Sequence, residues 1–391
     1  MRGKGLSVRL RKPLERSLRA GHPWLYREAL EAFEAAPGSV VRVLDKKGAF
    51  VASGLCESGP IAVRVLSVVD RPIDTGLFAE RIDAAFALRR RLQLPDTDAY
   101  RLLHGEGDRL PGVVCDRYGA CAVLKLDGEA ALSRSGTWIE LLHERLPALG
   151  VHSLLVRSSR KQGEETRVVW GPQPPRELSV RERGMTLLAN LYEGQKTGLF
   201  LDHRESRARV RTLSAELAVL NLYGYTGGFS IAAGLGAATR VVTVDQAKPA
   251  LALADRGWRA NDLPDASHAS SAGDAIEYLS AAAERGERYG LIIADPPNFA
   301  PRQSALPAAL KAYEALHLGV LRVLEPGGLY LAASCSSHVD RPAFEQTLFD
   351  AARRARRVLQ VLERSGAPAD HPRLLAFPEG DYLKVTLLRV D

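Results

Sequence analysis

The chain has 391 residues, which predicts two or three domains and excludes a peptide or a single small module. Its residues are 46% hydrophobic and 25% charged, as in folded globular proteins and unlike disordered or collagen-like chains. The formal net charge is +7. The four cysteines form no C-x-x-C pair, so the sequence predicts neither a disulfide framework nor a metal site and favours a cytoplasmic location.

Positive charge is concentrated in the first fifth of the chain. Residues 1–75 hold 13 Lys and Arg against 8 Asp and Glu, which leaves +5 of the total there. A basic module ahead of a nearly neutral body is typical of binding to a nucleic-acid backbone. The alternative is an arginine-rich surface with no such partner. No apolar segment follows the basic N-terminus, so a secretory signal is not expected.

Residues 217–239 carry no charge and are numerous enough to cross a bilayer. They also include Asn221, Thr226, Ser230 and five glycines around a central turn. This composition favours a strand, a tight loop and a helix start over a membrane span.

The first predicted elements are short strands and one helix. Residues 39–44, 49–53 and 61–66 alternate in polarity and are separated by turn residues, which predicts a small β-rich domain. A helix is predicted from Thr75, as the N-cap, to about Leu94, and it would connect this domain to the next.

A second small α/β domain follows. Residues 113–119 and 120–126 predict two strands around a turn, and residues 136–146 predict a helix. The proline-rich segment 171–175 is the best linker candidate, because proline stops both helices and strand ladders.

From about residue 180, strands and helices alternate. Short apolar runs at 217–222, 240–244, 291–294 and 329–333 are typical of buried parallel strands, and helical patterns lie between them. The sequence therefore predicts a doubly wound α/β sheet.

The segment Asn221–Phe229 follows the first of these strands and contains Gly224, Gly227 and Gly228, which let the backbone approach a ligand closely. Its spacing is not G-x-G-x-x-G, which argues against a dinucleotide. Asp245 ends the next strand, where a carboxylate can accept hydrogen bonds from the ribose hydroxyls of an adenosine.

Asp274 and Asp295 fall at further strand ends of the same sheet. Each alone is more simply explained as a helix N-cap. Their occurrence at consecutive strand ends favours a shared binding site.

The chain resembles, over nearly its whole length, the bacterial large-subunit ribosomal RNA cytosine-5 methyltransferases that carry an N-terminal PUA-like RNA-binding domain. The motifs that carry this resemblance are ordered along the chain: residues 21–24 (GHPW), 100–112, 116–119 (DRYG), 194–204, 223–229, 295–299 (DPPNF), 334–336 (SCS), 369–372 (ADHP) and 378–384 (PEGDYLK).

The resemblance implies a Rossmann-like class I methyltransferase sheet at the C-terminus, preceded by a small β-rich PUA-like domain and a small α/β central domain. The implied domains are residues 1–74, 75–180 and 181–391. The implied cofactor is S-adenosyl-L-methionine. The residues expected to bind it are Lys196, Asp202, Arg204, Asn221, Tyr223, Gly224, Tyr225, Thr226, Gly227, Asp245, Gln246, Asp274 and Ala275.

Carbon-5 of cytosine is too weak a nucleophile to take a methyl group directly, and addition of a thiolate to carbon-6 activates it. The resemblance assigns this catalytic role to Cys335 and has Asp295 hydrogen-bond the cytosine edge. A small buried hydrophobe is the alternative for Cys335. His203 stands where the family usually has Gln, and Asn298 where it has Lys. We expect His203 to be packed or solvent-facing rather than catalytic, and surface salt bridges are the alternative for Asp202 and Arg204.

The expected substrate is naked or partly assembled 23S rRNA, with no membrane partner and with a homodimer left open. Two alternatives remain at this stage. One is methylation of another rRNA base without covalent attack, and the other is a non-catalytic RNA-binding ribosome assembly factor.

Overall fold

The computed structural model describes residues 6–160 and 163–391, so Arg2 and Lys4 of the predicted basic segment lie outside the described residues. The chain divides into two compact units. The first is formed by Met1–Leu178, Asn190–Gly198 and Ala369–Gly380, and the second by Ser179–Ala189, Leu199–Pro368 and Asp381–Asp391. The boundaries of the three implied domains, after residues 74 and 180, stay a prediction.

The first unit begins with a five-stranded sheet in the spatial order β1-β3-β4-β5-β2. The elements of this part are β1 (Leu6–Arg9), α1 (Glu15–Arg19), β2 (Trp24–Tyr26), β3 (Val40–Leu44), β4 (Phe50–Cys56) and β5 (Ile61–Ser67). Leu25, Val41 and Val63 are fully buried in its core. The predicted β-rich character is confirmed.

A second five-stranded sheet in this unit has the order β10-β9-β8-β7-β6. Its elements are α2 (Thr75–Leu92), β6 (Ala99–His104), β7 (Val113–Tyr118), β8 (Cys121–Leu126), α3 (Glu129–Leu132), α4 (Ser135–Arg145), β9 (Ser153–Arg160) and β10 (Gly163–Trp170). The expected N-cap of α2 is wrong by one residue. Asp74, not Thr75, accepts the backbone N–H of Leu77 at 3.1 Å, because its carboxylate reaches the third amide of the helix.

A cluster of charges around the buried Arg64 joins the two sheets of the first unit. The guanidinium of Arg64 on β5 contacts Glu57 at 2.9 Å, Glu106 at 2.7 Å and Asp127 at 3.0 Å. The indole of Trp24 donates to the same Glu106 carboxylate at 2.9 Å. A buried cation held by three carboxylates fixes the two sheets to each other within this unit.

The second unit contains the hairpin β11 (Leu178–Glu182) and β12 (Met185–Ala189) and a seven-stranded sheet in the order β15-β14-β13-β16-β17-β19-β18. Its other elements are α5 (Arg204–Leu213), β13 (Ala218–Leu222), α6 (Gly228–Leu235), β14 (Arg240–Asp245), α7 (Lys248–Arg259), β15 (His268–Ala272), α8 (Ala275–Glu284), β16 (Tyr289–Ala294), α9 (Leu306–Val323), β17 (Leu324–Ser334), α10 (Arg341–Ala355), β18 (Leu359–Ser365) and β19 (Lys384–Val390).

The strand order of this sheet creates one place where ligands commonly bind. From β13, the strands β14 and β15 follow in order toward one edge of the sheet. β16 lies on the other side of β13 and is parallel to it. β17 continues parallel to β16, whereas β19 and β18 are antiparallel additions at the edge. The reversal of order beside β13 opens a crevice at the carboxyl ends of the strands. The Rossmann-like fold class is confirmed.

The uncharged segment 217–239 forms β13, a loop and α6, as predicted. No helix among residues 6–160 and 163–391 is long and apolar enough to cross a membrane.

A buried ion pair anchors the start of α5 in the second unit. The guanidinium of Arg207 makes two hydrogen bonds of 2.6 Å to the Glu182 carboxylate, and both side chains are almost fully buried. We predict that Glu182→Gln lowers the free energy of unfolding of this unit by roughly 3–5 kcal/mol, because it leaves a buried cation without its counter-charge. Urea unfolding followed by amide hydrogen exchange in β11 and α5 measures this loss.

The matched control is Glu363→Gln, because Glu363 pairs with Arg209 of the same helix at 3.0 Å but both side chains are about half exposed. We expect a change below about 1 kcal/mol for this variant. Equal effects of the two substitutions would contradict the prediction.

Candidate active site

Four chemically active side chains lie at the carboxyl ends of the parallel strands of the second unit. Asp245 ends β14, Asp274 follows β15, Asp295 follows β16 and Cys335 follows β17. All four are partly accessible, whereas the residues of β14, β16 and β17 that immediately precede Asp245, Asp295 and Cys335 are buried. The sheet therefore presents three carboxylates and one thiol along the edge where its crevice opens.

The loop after β13 is held against Asp245. The carboxylate of Asp245 accepts the backbone N–H of Tyr225 at 2.8 Å and that of Ala247 at 2.8 Å. Tyr223 and Tyr225 both have positive φ angles, of 57° and 46°. This backbone shape is uncommon for residues other than glycine and is found at binding sites.

Gly224 is required by close packing beneath the same loop. A Cβ atom at this position would lie 2.4 Å from Cγ2 of Thr243 and 2.9 Å from Nδ2 of Asn221. Gly227 has a φ of +75° and ends the loop at the first turn of α6. Glycine at these two positions therefore lets the loop pack closely against the residues beneath it and take a positive φ where it ends.

Asn221 and Thr226 lie under the loop rather than on its surface. Asn221 is 1% exposed and its Nδ2 donates to Oγ of Ser230 at 2.9 Å, while its Oδ1 is buried without a hydrogen-bond partner among the described residues. Thr226 is also buried. Both residues support the loop from the side of the sheet.

Asp274 has two simultaneous roles. One oxygen caps α8 by accepting the N–H groups of Ile276 at 2.8 Å and Glu277 at 3.2 Å, which is the N-cap role that the sequence also allowed. The other oxygen accepts Nε2 of Gln246 at 3.1 Å. Ala275 is buried, and Ile276 exposes 40% of its surface in the same turn. This exposed apolar side chain has the shape to cover the face of a flat ring and was not among the residues predicted from the sequence.

Asp295 is in contact with His203. Nε2 of His203 lies 3.1 Å from Oδ2 of Asp295, and the imidazole is 2% exposed and meets the ring of Phe229 edge-on at 5.3 Å between centroids. Packing of His203 was expected, but its contact with Asp295 was not. Its Nδ1 is buried with no hydrogen-bond partner in the described part of the chain, so Nε2 is the ring nitrogen that meets the carboxylate.

The segment before α5 contributes two more predicted residues. Oδ2 of Asp202 accepts the hydroxyl of Tyr382 at 2.8 Å, and Nε of Arg204 contacts Glu205 at 3.2 Å. Asp202 and Arg204 are 2% and 1% exposed, so neither is a solvated surface residue, although Arg204 does pair with the partly exposed Glu205. Lys196 belongs to the first unit and is described with it, at a φ of +54°.

Cys335 differs from the other three cysteines. It is partly exposed, and its Sγ lies 3.9 Å from the carbonyl oxygen of Pro296 in the loop that carries Asp295. Cys56, Cys115 and Cys121 are buried in the first unit, and desolvation by burial raises the pKa of each thiol. Reactivity requires an accessible thiolate, which selects Cys335.

The two serines beside Cys335 are fixed by hydrogen bonds. The hydroxyl of Tyr313 on α9 contacts Oγ of Ser334 at 2.8 Å and Oγ of Ser336 at 3.1 Å. Burial raises the pKa of Tyr313 to about 12, with smaller contributions in the same direction from Cys335 and Asp295. Tyr313 therefore stays protonated at neutral pH and cannot act as a base there.

Lys384 lies on the other side of the same segment. Its Nζ donates to the carbonyl oxygens of Ser336 at 2.7 Å and Tyr382 at 2.9 Å. Neither Lys384 nor Tyr382 was among the predicted site residues, although both lie in the motif at 378–384. Among the residues that the structure describes, no group of three His, Cys, Asp or Glu side chains could hold a metal ion.

Comparison with known proteins gives consistent matches over the whole chain. Residues 147–388 match the S-adenosylmethionine-dependent methyltransferase family, and residues 8–68 match a PUA-like domain. A "Ribosomal RNA large subunit methyltransferase" of Deinococcus radiodurans is 36% identical, and the alignment covers 99% of this chain and 98% of that protein. A "Ribosomal RNA large subunit methyltransferase I" of Photobacterium profundum is also 36% identical, with 97% and 98% covered.

Two solved structures share the fold. A SAM-dependent methyltransferase structure from Streptococcus mutans superposes with a TM-score of 0.88 at 22% identity, covering 98% of this chain and 100% of that chain. A methyltransferase structure complexed with SAH superposes with the same TM-score of 0.88 at 23% identity, covering 98% and 99%.

Proposed function

Because this chain belongs to the S-adenosylmethionine-dependent methyltransferase family and carries a PUA-like domain at its N-terminal end, we propose that it methylates carbon-5 of a cytosine in large-subunit ribosomal RNA through a covalent adduct with Cys335. The large-subunit relatives, about one-third identical over nearly the full length, support the substrate class. The observation that carries the cytosine chemistry is the partly exposed thiol of Cys335, next to the loop of Asp295.

The cofactor is S-adenosylmethionine, and the residues at the sheet edge fit it. Asp245 has two oxygens that each accept one backbone N–H, which leaves further lone pairs for the ribose hydroxyls. We propose that the 223–227 loop lies along the methionine part and that Asp274 and Gln246 face the adenine. Asn221, Thr226 and Ala275 act beneath them as support, and Asp202 and Arg204 complete the proposed set within this unit. Lys196 lies in the first unit and stays a prediction from the sequence. When bound, the cofactor supplies an electrophilic methyl group.

Cys335 begins the proposed reaction as a thiolate. Its sulfur bonds to carbon-6 of the cytosine, and the electrons of the 5,6 double bond make carbon-5 nucleophilic enough to accept the methyl group. Loss of the proton from carbon-5 to a base and breakage of the sulfur–carbon bond then restore the ring and release Cys335. The loop at 295–299 contains no second cysteine to assist this release.

Asp295 binds the edge of the base in this proposal. Its Oδ2 contacts His203, so Oδ1 is the oxygen that can meet the ring nitrogen or the amino group of a cytosine. A carboxylate here stabilises the extra proton that the ring nitrogen gains as sulfur adds to carbon-6. We propose that Nε2 of His203, 3.1 Å from Oδ2, holds the carboxylate in place, which gives His203 a positioning role.

The RNA must present an unstacked base, because carbon-6 of a stacked cytosine is inaccessible. We therefore propose naked or partly assembled 23S rRNA as the substrate, in the bacterial cytoplasm, with the PUA-like domain holding the RNA backbone. Asn298 is exposed beside the Asp295 loop, and its Oδ1 accepts the N–H of Ala300 at 3.0 Å. We propose that this residue affects which cytosine is chosen. A homodimer remains part of the proposal.

Nucleoside mass spectrometry tests the function directly. Large-subunit rRNA from a strain lacking the gene is incubated with the purified enzyme and S-adenosylmethionine, digested and analysed. We expect 5-methylcytidine, and more of it on deproteinised RNA than on mature ribosomes. A methylated guanine or adenine would overturn the cytosine assignment, and the absence of any methylation would support an assembly factor.

Asp245→Asn tests the cofactor site separately from the chemistry. We expect the Kd for S-adenosylmethionine to rise by about 10–100-fold, because charge-assisted hydrogen bonds to the ribose are lost at about 1.5–3 kcal/mol. Isothermal calorimetry measures this change. Asp265→Asn is the control, since Asp265 pairs with Arg259 at an exposed site, and an equal loss in both variants would contradict the assignment.

A further inference from the structure

Lys384 is a buried cation that the proposed reaction does not yet use. It begins β19 and pairs in the sheet register with Ser334, the last residue of β17, so it lies beside the segment that carries Cys335. Its side chain is almost fully buried, with the residue 2% exposed. Desolvation disfavours the charge of a buried ammonium group, so neighbouring groups must compensate for its lost hydration.

The two hydrogen bonds of Lys384 aim its charge at the Cys335 segment. Nζ donates to the carbonyl oxygen of Ser336 at 2.7 Å, one residue beyond Cys335, and to that of Tyr382 at 2.9 Å. Both acceptors are neutral, so they fix the position of the ammonium group without cancelling its charge. A lysine has three N–H donors, and these two bonds use two of them.

The electrostatics of Lys384 agree with this geometry. Desolvation by burial lowers the pKa of Lys384 to about 8, and the strongest influence in the opposite direction is the charge of Cys335. Asp381 and Asp340 raise the pKa further, and Arg341 lowers it. Near neutral pH the amine is therefore still mostly protonated, and a negative charge on Cys335 favours that state.

We propose that the ammonium group of Lys384 stabilises the thiolate of Cys335 and so keeps the nucleophile ready for attack. Lys384 acts through Cys335 and is a positioning residue rather than a catalytic one. The thiol proton leaves to solvent, and Lys384 keeps its own proton throughout. A cation beside a cysteine is a general means of raising the fraction of thiolate at neutral pH. The benefit to catalysis rests on the proposed function, whereas the effect on the thiol does not.

Two other titratable groups, Tyr313 and Asp295, also affect how the ionisation of the Cys335 thiol depends on pH. Tyr313 on α9 feels the charges of both Cys335 and Asp295, and the loop of Asp295 also carries Pro296, whose carbonyl oxygen is 3.9 Å from Sγ of Cys335. Tyr313 is neutral at these pH values, and Asp295 would oppose a second negative charge. Lys384 is therefore the cation on which we expect the thiolate to depend, and its own deprotonation near pH 8 couples to that of the thiol.

Alkylation of the thiol tests this proposal without RNA or cofactor. The full chain is treated with iodoacetamide from neutral to alkaline pH, and the modification of Cys335 is followed by peptide mass spectrometry, which separates it from the three buried cysteines. We expect Lys384→Gln to slow alkylation at neutral pH by roughly tenfold and to move the rise in rate to higher pH, because the thiolate fraction falls. Lys384→Arg should keep most of the rate.

Lys311→Gln removes the charge of an exposed lysine on α9 and should change nothing. If Lys384→Gln does not fold, alkylation of the unaltered protein still tests whether the Cys335 thiolate is stabilised. Its Cys335 must alkylate faster at neutral pH than the cysteine of a short unstructured peptide. Equal rates in that comparison, or identical pH profiles for the unaltered protein and the Lys384→Gln variant, would overturn the proposal.

The outcomes separate this inference from the proposed function. If Lys384→Gln alters alkylation but Cys335→Ala still methylates RNA, then the lysine effect stands and the covalent mechanism fails. If alkylation is unchanged while Cys335→Ala is inactive, then the mechanism stands and the role of Lys384 is wrong.

Discussion

Cys335→Ala is expected to reduce methyl transfer to large-subunit rRNA by on the order of 10³-fold or more, because removal of an enzymatic nucleophile removes the path through the covalent adduct. The side chain is partly exposed at the end of β17, so the substitution opens no large cavity. Binding of S-adenosylmethionine should be unchanged. Transfer of a tritiated methyl group and calorimetry measure the two properties.

Cys121→Ala is the matched control for this prediction. Cys121 is buried in the first unit, and burial raises the pKa of its thiol, so it is not expected to react. Methyl transfer at a near-normal rate by Cys335→Ala would exclude the covalent mechanism. It would favour methylation of another rRNA base without attack by sulfur.

Asp295→Asn is expected to lower kcat by roughly 10²–10⁴-fold, the usual contribution of a group that holds or moves a proton in the transition state. The amide keeps the size of the carboxylate, and its oxygen can still accept from Nε2 of His203, which lies 3.1 Å from Oδ2. The loss should therefore appear in kcat and not in cofactor affinity. Single-turnover kinetics with saturating cofactor separates these effects.

Two further variants test whether the loss of kcat is specific to the Asp295 carboxylate. Asp350→Asn on α10 changes an exposed pair with Arg353 and should leave kcat unaltered. His203→Gln should keep most of the activity, because a glutamine amide can donate to the same oxygen of Asp295. If Asp295→Asn matched the unaltered enzyme in kcat, the proposed contact with the cytosine edge would be wrong.

The sheet of the second unit was largely predictable, but its edges were not. Four strands of this sheet were found because their residues form short apolar runs, as buried parallel strands do. β15 (His268–Ala272) was missed as a strand because its sequence, HASSA, is small and polar and its residues are largely accessible. β18 and β19 were missed as well. β18 lies at the edge of the sheet and alternates poorly, with five consecutive exposed residues.

The candidate site was predictable where single residues sit at strand ends. Asp245, Asp274, Asp295 and Cys335 follow from strand position together with the family resemblance, and the structure brings all of them to one edge. The contact between His203 and Asp295 was not predictable, because 92 residues separate them and no periodicity relates a helix start to a strand end. The same holds for Lys384 and Ser336, which are 48 positions apart.

Burial was the other property that the sequence did not reveal. Asp202 and Arg204 are charged residues in a polar stretch, a pattern that equally describes a solvated surface. Only the fold shows that both are enclosed, with Asp202 bonded to Tyr382 from a segment near the end of the chain.

Trapping the adduct between Cys335 and its base is the most direct test of covalent attack by this thiol on the cytosine. RNA containing 5-fluorocytidine at the target position is incubated with the enzyme and S-adenosylmethionine, and the fluorine at carbon-5 blocks the step that would release the sulfur. We predict a complex that survives denaturation and whose nucleotide is attached to the peptide of Cys335. A complex that dissociates on denaturation, or a nucleotide attached to another residue, would contradict it.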